Sequence, residues 1–339
     1  MINRWCVLFL LFPLINIAQT FSGKIIDKKT QQPVETVSVY FDNTTIGTTT
    51  DKDGIFSINY TEAIQSTLVI SYLGYEKVLI SDYRTKNNIT IELVEAENEL
   101  DAVYIDYDDG LTRKQKLRLF RKEFLGTSKL ARSCKILNEE DLILRYDKRN
   151  RALFVSAKTP VLVENKALQY KVAFEIIDFE VNYRYANLKT NRFTIHSTTY
   201  FGTSFYEDLE ETNKRKTIKN REKAYKGSVQ HFIRALYNKN LEEESYWIFH
   251  DKFRVNEWDY FEITNIENSD YKKVKLKEKV TILYNKDFQS EIQLEIPEFY
   301  IDVYGNYAPI VGVYFSGELG NQRVGDTLPS DYGLNLSKE

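Results

Sequence analysis

Sulfur and imidazole are scarce in this chain: its 339 residues include 2 Cys, 1 Met and 3 His. Cys6 falls inside an N-terminal apolar run, which leaves Cys134 without a partner for an internal disulfide. A packed thiol is its expected role; the alternative is a nucleophile paired with His231, because such partners need only meet in space. Zinc hydrolysis requires histidines spaced to meet one tetrahedral ion together with a carboxylate. His196-Ser197-Thr198-Thr199, His231-Phe232-Ile233-Arg234 and His250-Asp251-Lys252-Phe253 contain neither His-x-x-Glu nor His-Glu-x-x-His. Gly-x-Ser-x-Gly and a glycine-rich phosphate loop are missing too, so no catalytic residue, metal ligand or cofactor site is expected. The net charge of −3 speaks against general nucleic-acid binding. Beyond the first 18 residues, no apolar run is long enough for a membrane-spanning helix.

Residues 1–18 themselves read as an export leader, with Arg4 as the positive end, residues 5–17 as the apolar run and Ala18 at the cut. An apolar run of about 13 residues is too short to span roughly 30 Å of hydrocarbon. Cys6 lies within that run and lacks a lipoprotein cleavage pattern. Cleavage after Ala18 removes one positive charge, from −3 to −4, and leaves a chain expected to be exported, periplasmic or associated with an outer membrane.

What the chain does have is aromatic residues, 24 Tyr and 20 Phe, which favour β structure. Apolar alternation marks seven short strands at 20–27, 36–42, 45–50, 54–60, 67–72, 75–81 and 88–94, the pattern of an immunoglobulin-like β-sandwich. In the second run Val37, Val39 and Phe41 face the core, while Ser38, Tyr40 and Asp42 are expected on a solvated face. Asp51-Lys52-Asp53-Gly54 supplies turn acceptors and a glycine, so strands 45–50 and 54–60 are expected to form a hairpin. Asp51-x-Asp53-Gly54 is also half of a calcium loop, but the bidentate glutamate would fall at Glu62, beyond an intervening strand.

Gly23-Lys24-Ile25-Ile26-Asp27, Pro33-Val34-Glu35-Thr36-Val37-Ser38-Val39, the stretch from Gly47 through Asp51-Lys52-Asp53-Gly54 to Ile58, and Leu68-Val69-Ile70-Ser71-Tyr72-Leu73-Gly74-Tyr75 together resemble the carboxypeptidase regulatory-like domain. The resemblance implies a transthyretin-like seven-stranded sandwich, common just after the leader of Bacteroidetes envelope proteins, and no peptidase activity. The same module opens many TonB-dependent receptors, and Leu100-Asp101-Ala102-Val103-Tyr104-Ile105 resembles the strand that leads to their plug. Too few residues follow position 105 for a plug and a large barrel, so a receptor is not expected.

The expected organisation is leader 1–18, sandwich 19–107 and a second domain 108–339, mainly β overall. An acidic stretch at 95–109 gives way to nine basic residues against Glu123 within 113–135, a charge reversal typical of a boundary. Thr112 is a suitable N-cap for a helix carrying Leu117, Phe120 and Phe124 up to Gly126. Tyr225, Val229, Phe232 and Leu236 mark a second helix at 213–237, with His231 at the edge of its apolar stripe. Further strands are expected at 141–146, 152–157, 170–181, 192–200, 245–250, 260–263, 274–284, 292–296 and 310–315, giving an α+β unit with an antiparallel sheet and two main helices. Phe124-Leu125-Gly126-Thr127-Ser128, Arg221-Glu222-Lys223-Ala224-Tyr225 and Leu328-Pro329-Ser330-Asp331-Tyr332 resemble a group of uncharacterised Bacteroidetes envelope proteins, which implies architecture and no activity.

Two surfaces are candidates for interaction. The basic run with Lys214, Lys216, Lys219 and Arg221 is either a solvated helix face or a contact for anionic outer-membrane components or an acidic envelope protein. Trp247 and Trp258 lie in an aromatic stretch, 246–261, that serves either as core or as a platform for a glycan or peptide. Three readings follow: a non-enzymatic envelope protein that binds or scaffolds, an enzyme of unrecognised type with its site in the second domain, or a carbohydrate-binding protein.

Overall fold

The computed structural model describes residues 19–60, 66–86, 88–96, 110–267 and 269–334. The leader, Glu62, the stretch 100–105 and most of the acidic junction lie outside them.

Strands β1 (Gln19–Asp27), β2 (Ser38–Phe41), β3 (Gly47–Thr49), β4 (Ile55–Tyr60), β5 (Leu68–Ser71), β6 (Val78–Ile80) and β7 (Ile89–Leu93) form two sheets, ordered β4-β1-β7 and β3-β2-β5-β6. Alternation decides what lies between them. In β4 Phe56, Ile58 and Tyr60 are buried while Ile55, Ser57 and Asn59 are exposed, and the buried set meets Val39, Phe41, Leu68 and Ile70 from the other sheet. Each such side chain removed from water contributes about 1.5–3 kcal/mol, so this face holds the sandwich together.

The turn at 51–54 forms as expected, but the hairpin does not. Asp51 Oδ1 accepts the N–H groups of Asp53 (2.9 Å) and Ile55 (2.8 Å), and Gly54 takes φ +73°. β3 pairs with β2, however, and β4 with β1, so the turn carries the chain from one sheet to the other. Anchors on either side explain this: the Thr50 backbone N–H donates to Val37 O, its hydroxyl donates to Val34 O, and Ile25 N–H donates to Gly54 O.

The rest of the chain builds two further cores. α1 (Arg113–Leu125) starts at a reciprocal cap in which the Thr112 hydroxyl accepts Gln115 N–H while the Gln115 carboxamide oxygen accepts Thr112 N–H. It lies on a six-stranded sheet of β8 (Cys134–Ile136), β9 (Leu142–Asp147), β10 (Ala152–Ala157), β11 (Val161–Asn165), β12 (Tyr170–Asn187) and β13 (Arg192–Asp208). Phe120 and Phe124 stack at 4.8 Å and meet Phe179 edge-on. The antiparallel pair β12–β13 is far longer than expected, and its register shifts at Ile176/Asp178 and from Asn182 to Tyr185.

The expected second helix is two helices, α2 (Arg215–Tyr225) and α3 (Val229–Asn238). Gly227 breaks the run at φ +78°, and Ser228 restarts it, its hydroxyl accepting His231 N–H at 2.9 Å. Strands β14 (Tyr246–His250), β15 (Phe253–Arg254), β16 (Phe261–Asn265), β17 (Lys272–Leu276), β18 (Val280–Tyr284), β19 (Phe288–Leu294), β20 (Phe299–Ile301), β21 (Tyr307–Ala308) and β22 (Val313–Ser316), followed by the short helix α4 (Gly317–Gly320), complete the chain. They form the sheets β15-β14-β18-β19-β22 and β16-β17-β20-β21. The run expected as one strand at 274–284 is thus β17 and β18, in different sheets. Phe232, Leu236, Ile248, Ile282 and Phe299 belong to the core that these sheets share with α3.

Candidate functional site

The sandwich is fastened to the central sheet through the face of β2 expected to be solvated. Tyr40 is buried, its ring 5.2 Å from Phe205 of β13. Backbone bonds continue the contact: Asn43 N–H donates to Ser204 O at 2.7 Å and Tyr206 N–H to Thr44 O at 3.0 Å. Asp42 accepts Ser204 N–H at 2.7 Å. Burial pushes the Asp42 carboxyl up to about 6, although the N–H groups of Ser204 and Asn43 and the charge of Lys77 pull the other way. Lys77 in turn pairs with Glu175 of β12 at 2.8 Å.

Residues 327–332 close the arrangement from the far end of the chain. Ser330 N–H donates to Asn43 O, and the Asp331 carboxylate accepts from the Thr45 hydroxyl at 2.5 Å, both in the sandwich. The buried Arg234 guanidinium of α3 donates to Ser330 O (2.7 Å), Tyr332 O (2.9 Å) and Tyr304 O (2.9 Å). Thr327 and Tyr206 join their hydroxyls at 3.0 Å on the central sheet. One short segment therefore touches elements of all three cores. Its Leu328-Pro329-Ser330-Asp331-Tyr332 was marked by resemblance, but nothing in its composition announces this role.

The residues singled out for chemistry are occupied by structure. Cys134 lines an open cleft of about 320 Å³ with Arg121, Lys122, Leu125, Gly126, Thr127, Ala131 and Arg132. Burial, with Asp326 adding to it, pushes its thiol up to about 12, so it stays protonated and unreactive at neutral pH. His231 is buried: Nδ1 accepts Gly227 N–H at 3.1 Å and stands 3.0 Å from the Tyr246 hydroxyl, while Nε2 faces Glu244 at 3.0 Å. Burial lowers its pKa, outweighing Glu244, and keeps the ring neutral. Cys134 is not among its partners, so the possible dyad does not form. Among the described residues no group of three or more His, Cys, Asp and Glu is placed to hold a metal ion.

The basic run separates into two kinds of residue. Arg221 points inward, donating to Leu168 O (2.8 Å), Gln169 O (3.0 Å) and Asp208 (2.7 Å) and covering the Tyr170 ring at 3.7 Å. It pins α2 to the turn between β11 and β12. Lys214 pairs with Glu211. Lys216 and Lys219 are exposed, as are Arg215 and Lys223.

The aromatic stretch separates as well. Tyr246 and Phe261 are core, and Trp258 packs half-buried against it. Trp247 alternates to the opposite face of β14, with Arg254 and Lys286 over its ring at 5.0 and 5.2 Å. Phe253, which opens β15, is 75% exposed.

No helix among the described residues is long and apolar enough to cross a membrane. No curated protein matches the chain. Among solved structures it is similar to a "putative membrane-associated protein of unknown function" from Bacteroides fragilis NCTC 9343, at 11% identity and a TM-score of 0.19, over 88% of this chain and 95% of that chain. A TM-score that low bears on neither fold nor function. The family model of the CarboxypepD_reg-like domain matches residues 21–105. The seven strands of this segment, in two sheets around one core, make the β-sandwich that lies under that match.

Proposed function

We propose that this is a non-enzymatic, exported protein of the cell envelope, periplasmic or held at the outer membrane, that binds or scaffolds other envelope components. The observation that carries this reading is the clasp at 327–332, which ties the accessory sandwich to the rest of the chain through Asn43, Thr45, Tyr206 and Arg234. A fixed arm of this kind suits holding partners at a set spacing. The groups best suited to catalysis support the same reading, since the Cys134 thiol is held protonated and His231 is engaged on both ring nitrogens. Partners are sought among envelope proteins and anionic outer-membrane components, and no nucleic acid is implied by a chain of net charge −3.

Affinity capture from gently crosslinked envelopes, with residues 19–339 as bait, tests it. A recurrent partner set is expected, with no turnover of peptide, ester, glycoside or phosphate substrates. Turnover abolished by a point substitution in the C-terminal half would replace this reading with an enzyme, and a saturable glycan signal lost in Trp247→Ala would replace it with a carbohydrate-binding protein.

A further inference from the structure

Helix α2 carries a face that its own fold does not use. Of its 11 residues only Thr217 and Ala224 are buried, and Arg221 is spent on carbonyl groups and Asp208. Lys226 pairs with Glu222 at 2.6 Å. Arg215, Lys216, Lys219 and Lys223 remain, exposed and without an ion pair among the described residues. Arg215, Lys219 and Lys223 are spaced i, i+4, i+8, so they stand in one row along the helix with Lys216 beside it. Like charges at that spacing repel one another and weaken the helix, and Glu222, already paired with Lys226, offsets this only at Lys219. The protein as a whole is acidic, so the row is a local reversal of sign. Ile218, 54% exposed, borders it.

Resting on the reading of a binding protein, we infer that this face of α2 docks onto an anionic lipid surface. Charge complementarity requires a negative partner, and the residue type decides which. Lysine ammonium groups are compact, strongly hydrated point charges without the fork that matches a single carboxylate. Interfaces between proteins favour Arg and are depleted in Lys, whereas anionic lipid surfaces attract clusters of either cation. Three of the four free cations are Lys, while the one arginine of α2 that is engaged, Arg221, is used inside the fold. Each cation at such a surface raises partitioning about fivefold, and four of them raise it on the order of a few hundredfold at low salt.

The test is co-sedimentation of residues 19–339, which include every described residue, with two kinds of vesicle. One is phosphatidylcholine alone and the other phosphatidylcholine mixed with phosphatidylglycerol. Binding to the mixed vesicles only is expected, weakening as salt is raised. Lys219→Gln should lower it about fivefold, and the triple variant Lys216→Glu, Lys219→Glu, Lys223→Glu should abolish it while melting as the parent does. Equal binding to both vesicles, or full binding by the triple variant, overturns the inference. If vesicles fail but envelope capture returns a protein partner lost in the triple variant, the lipid surface is wrong and the binding reading stands. If vesicles bind and capture returns nothing, the lipid surface stands and the scaffold reading falls.

Discussion

Asp42 and Asp331 are carboxyl groups hidden where the sandwich meets the rest of the protein, and burial raises both above the usual carboxylate range. Asp302 and Asp326 are raised for the same reason. A folded state that binds protons more tightly than the unfolded chain is stabilised as pH falls towards the unfolded value, so the protein should gain stability between pH 7 and about 5. For Asp42, raised from 3.8 to about 6, the gain is at most on the order of 2–3 kcal/mol. The groups facing it are Lys77, itself paired with Glu175 at 2.8 Å, and the Tyr40 and Tyr206 hydroxyls, both of which burial pushes above their ordinary range. Asp27, Asp141 and Asp147 act in the opposite sense. Hydrogen bonds lower their pKa, and the stability they contribute is lost as pH falls through and below the ordinary carboxylate range. Thermal melts should therefore show a midpoint that rises from pH 7 to 5 and falls below pH 4. Asp42→Asn keeps an acceptor for Ser204 N–H without the titration, and should flatten part of the rise; a variant that keeps the full rise would acquit Asp42.

At the scale of elements, the break between α2 and α3 is set by two neighbouring residues. A Cβ at Gly227 would lie 2.8 Å from the Tyr284 ring, in a backbone conformation that alanine tolerates poorly. Gly227→Ala should cost about 1–3 kcal/mol in a urea titration, and Ser228→Ala, which removes only the cap, about 1 kcal/mol. Were the two helices one, both substitutions would be neutral or stabilising. This break also shows what sequence can and cannot convey. Tyr225, Val229, Phe232 and Leu236 keep helical spacing across both helices, so the stripe was legible and its interruption was not. The seven sandwich strands and the Thr112 cap were legible because alternation and capping are local. The pairing of β3 with β2 was not, because the chemistry of residues 51–54 sets a turn and leaves open which strands it joins. The candidate surface divides in the same way. Lys216 and Lys219 show as a charge run, whereas the inward role of Arg221 depends on Leu168, Gln169 and Asp208, distant in sequence. Trp247 and Trp258 are alike in sequence, but Trp247 stands on the face of β14 away from the core, whereas Trp258 sits in the short 3-10 turn Glu257–Asp259 and packs against it.

For the whole molecule, the question is whether the sandwich melts with its neighbours or apart from them. The seam contains both polar bonds and the packing of Tyr40 on Phe205, so opening it should expose a buried carboxylate as well as aromatic surface. Gly47 gives access to this contact alone. Its Cβ would meet the Phe205 ring at 2.7 Å, and it lies in β3 with no positive φ, so alanine adds a clash at the seam without straining the backbone. Gly47→Ala should cost about 1–3 kcal/mol of coupling and leave the sandwich core intact. Calorimetry should then resolve two transitions where the parent shows one, and limited proteolysis should release the sandwich more readily. Ile55→Ala, on an exposed position of β4, serves as a control that leaves the seam untouched. Trimming the ring with Phe205→Leu in the Gly47→Ala background should restore part of the coupling, because the alanine methyl then has room. An unchanged single transition in Gly47→Ala would mean that the clasp at 327–332 holds the molecule together without the Tyr40–Phe205 contact, and Arg234→Met, which removes a charged donor from three carbonyls and leaves Tyr304 O and Ser330 O only the longer bonds from Gln230, would then be the substitution that separates the parts.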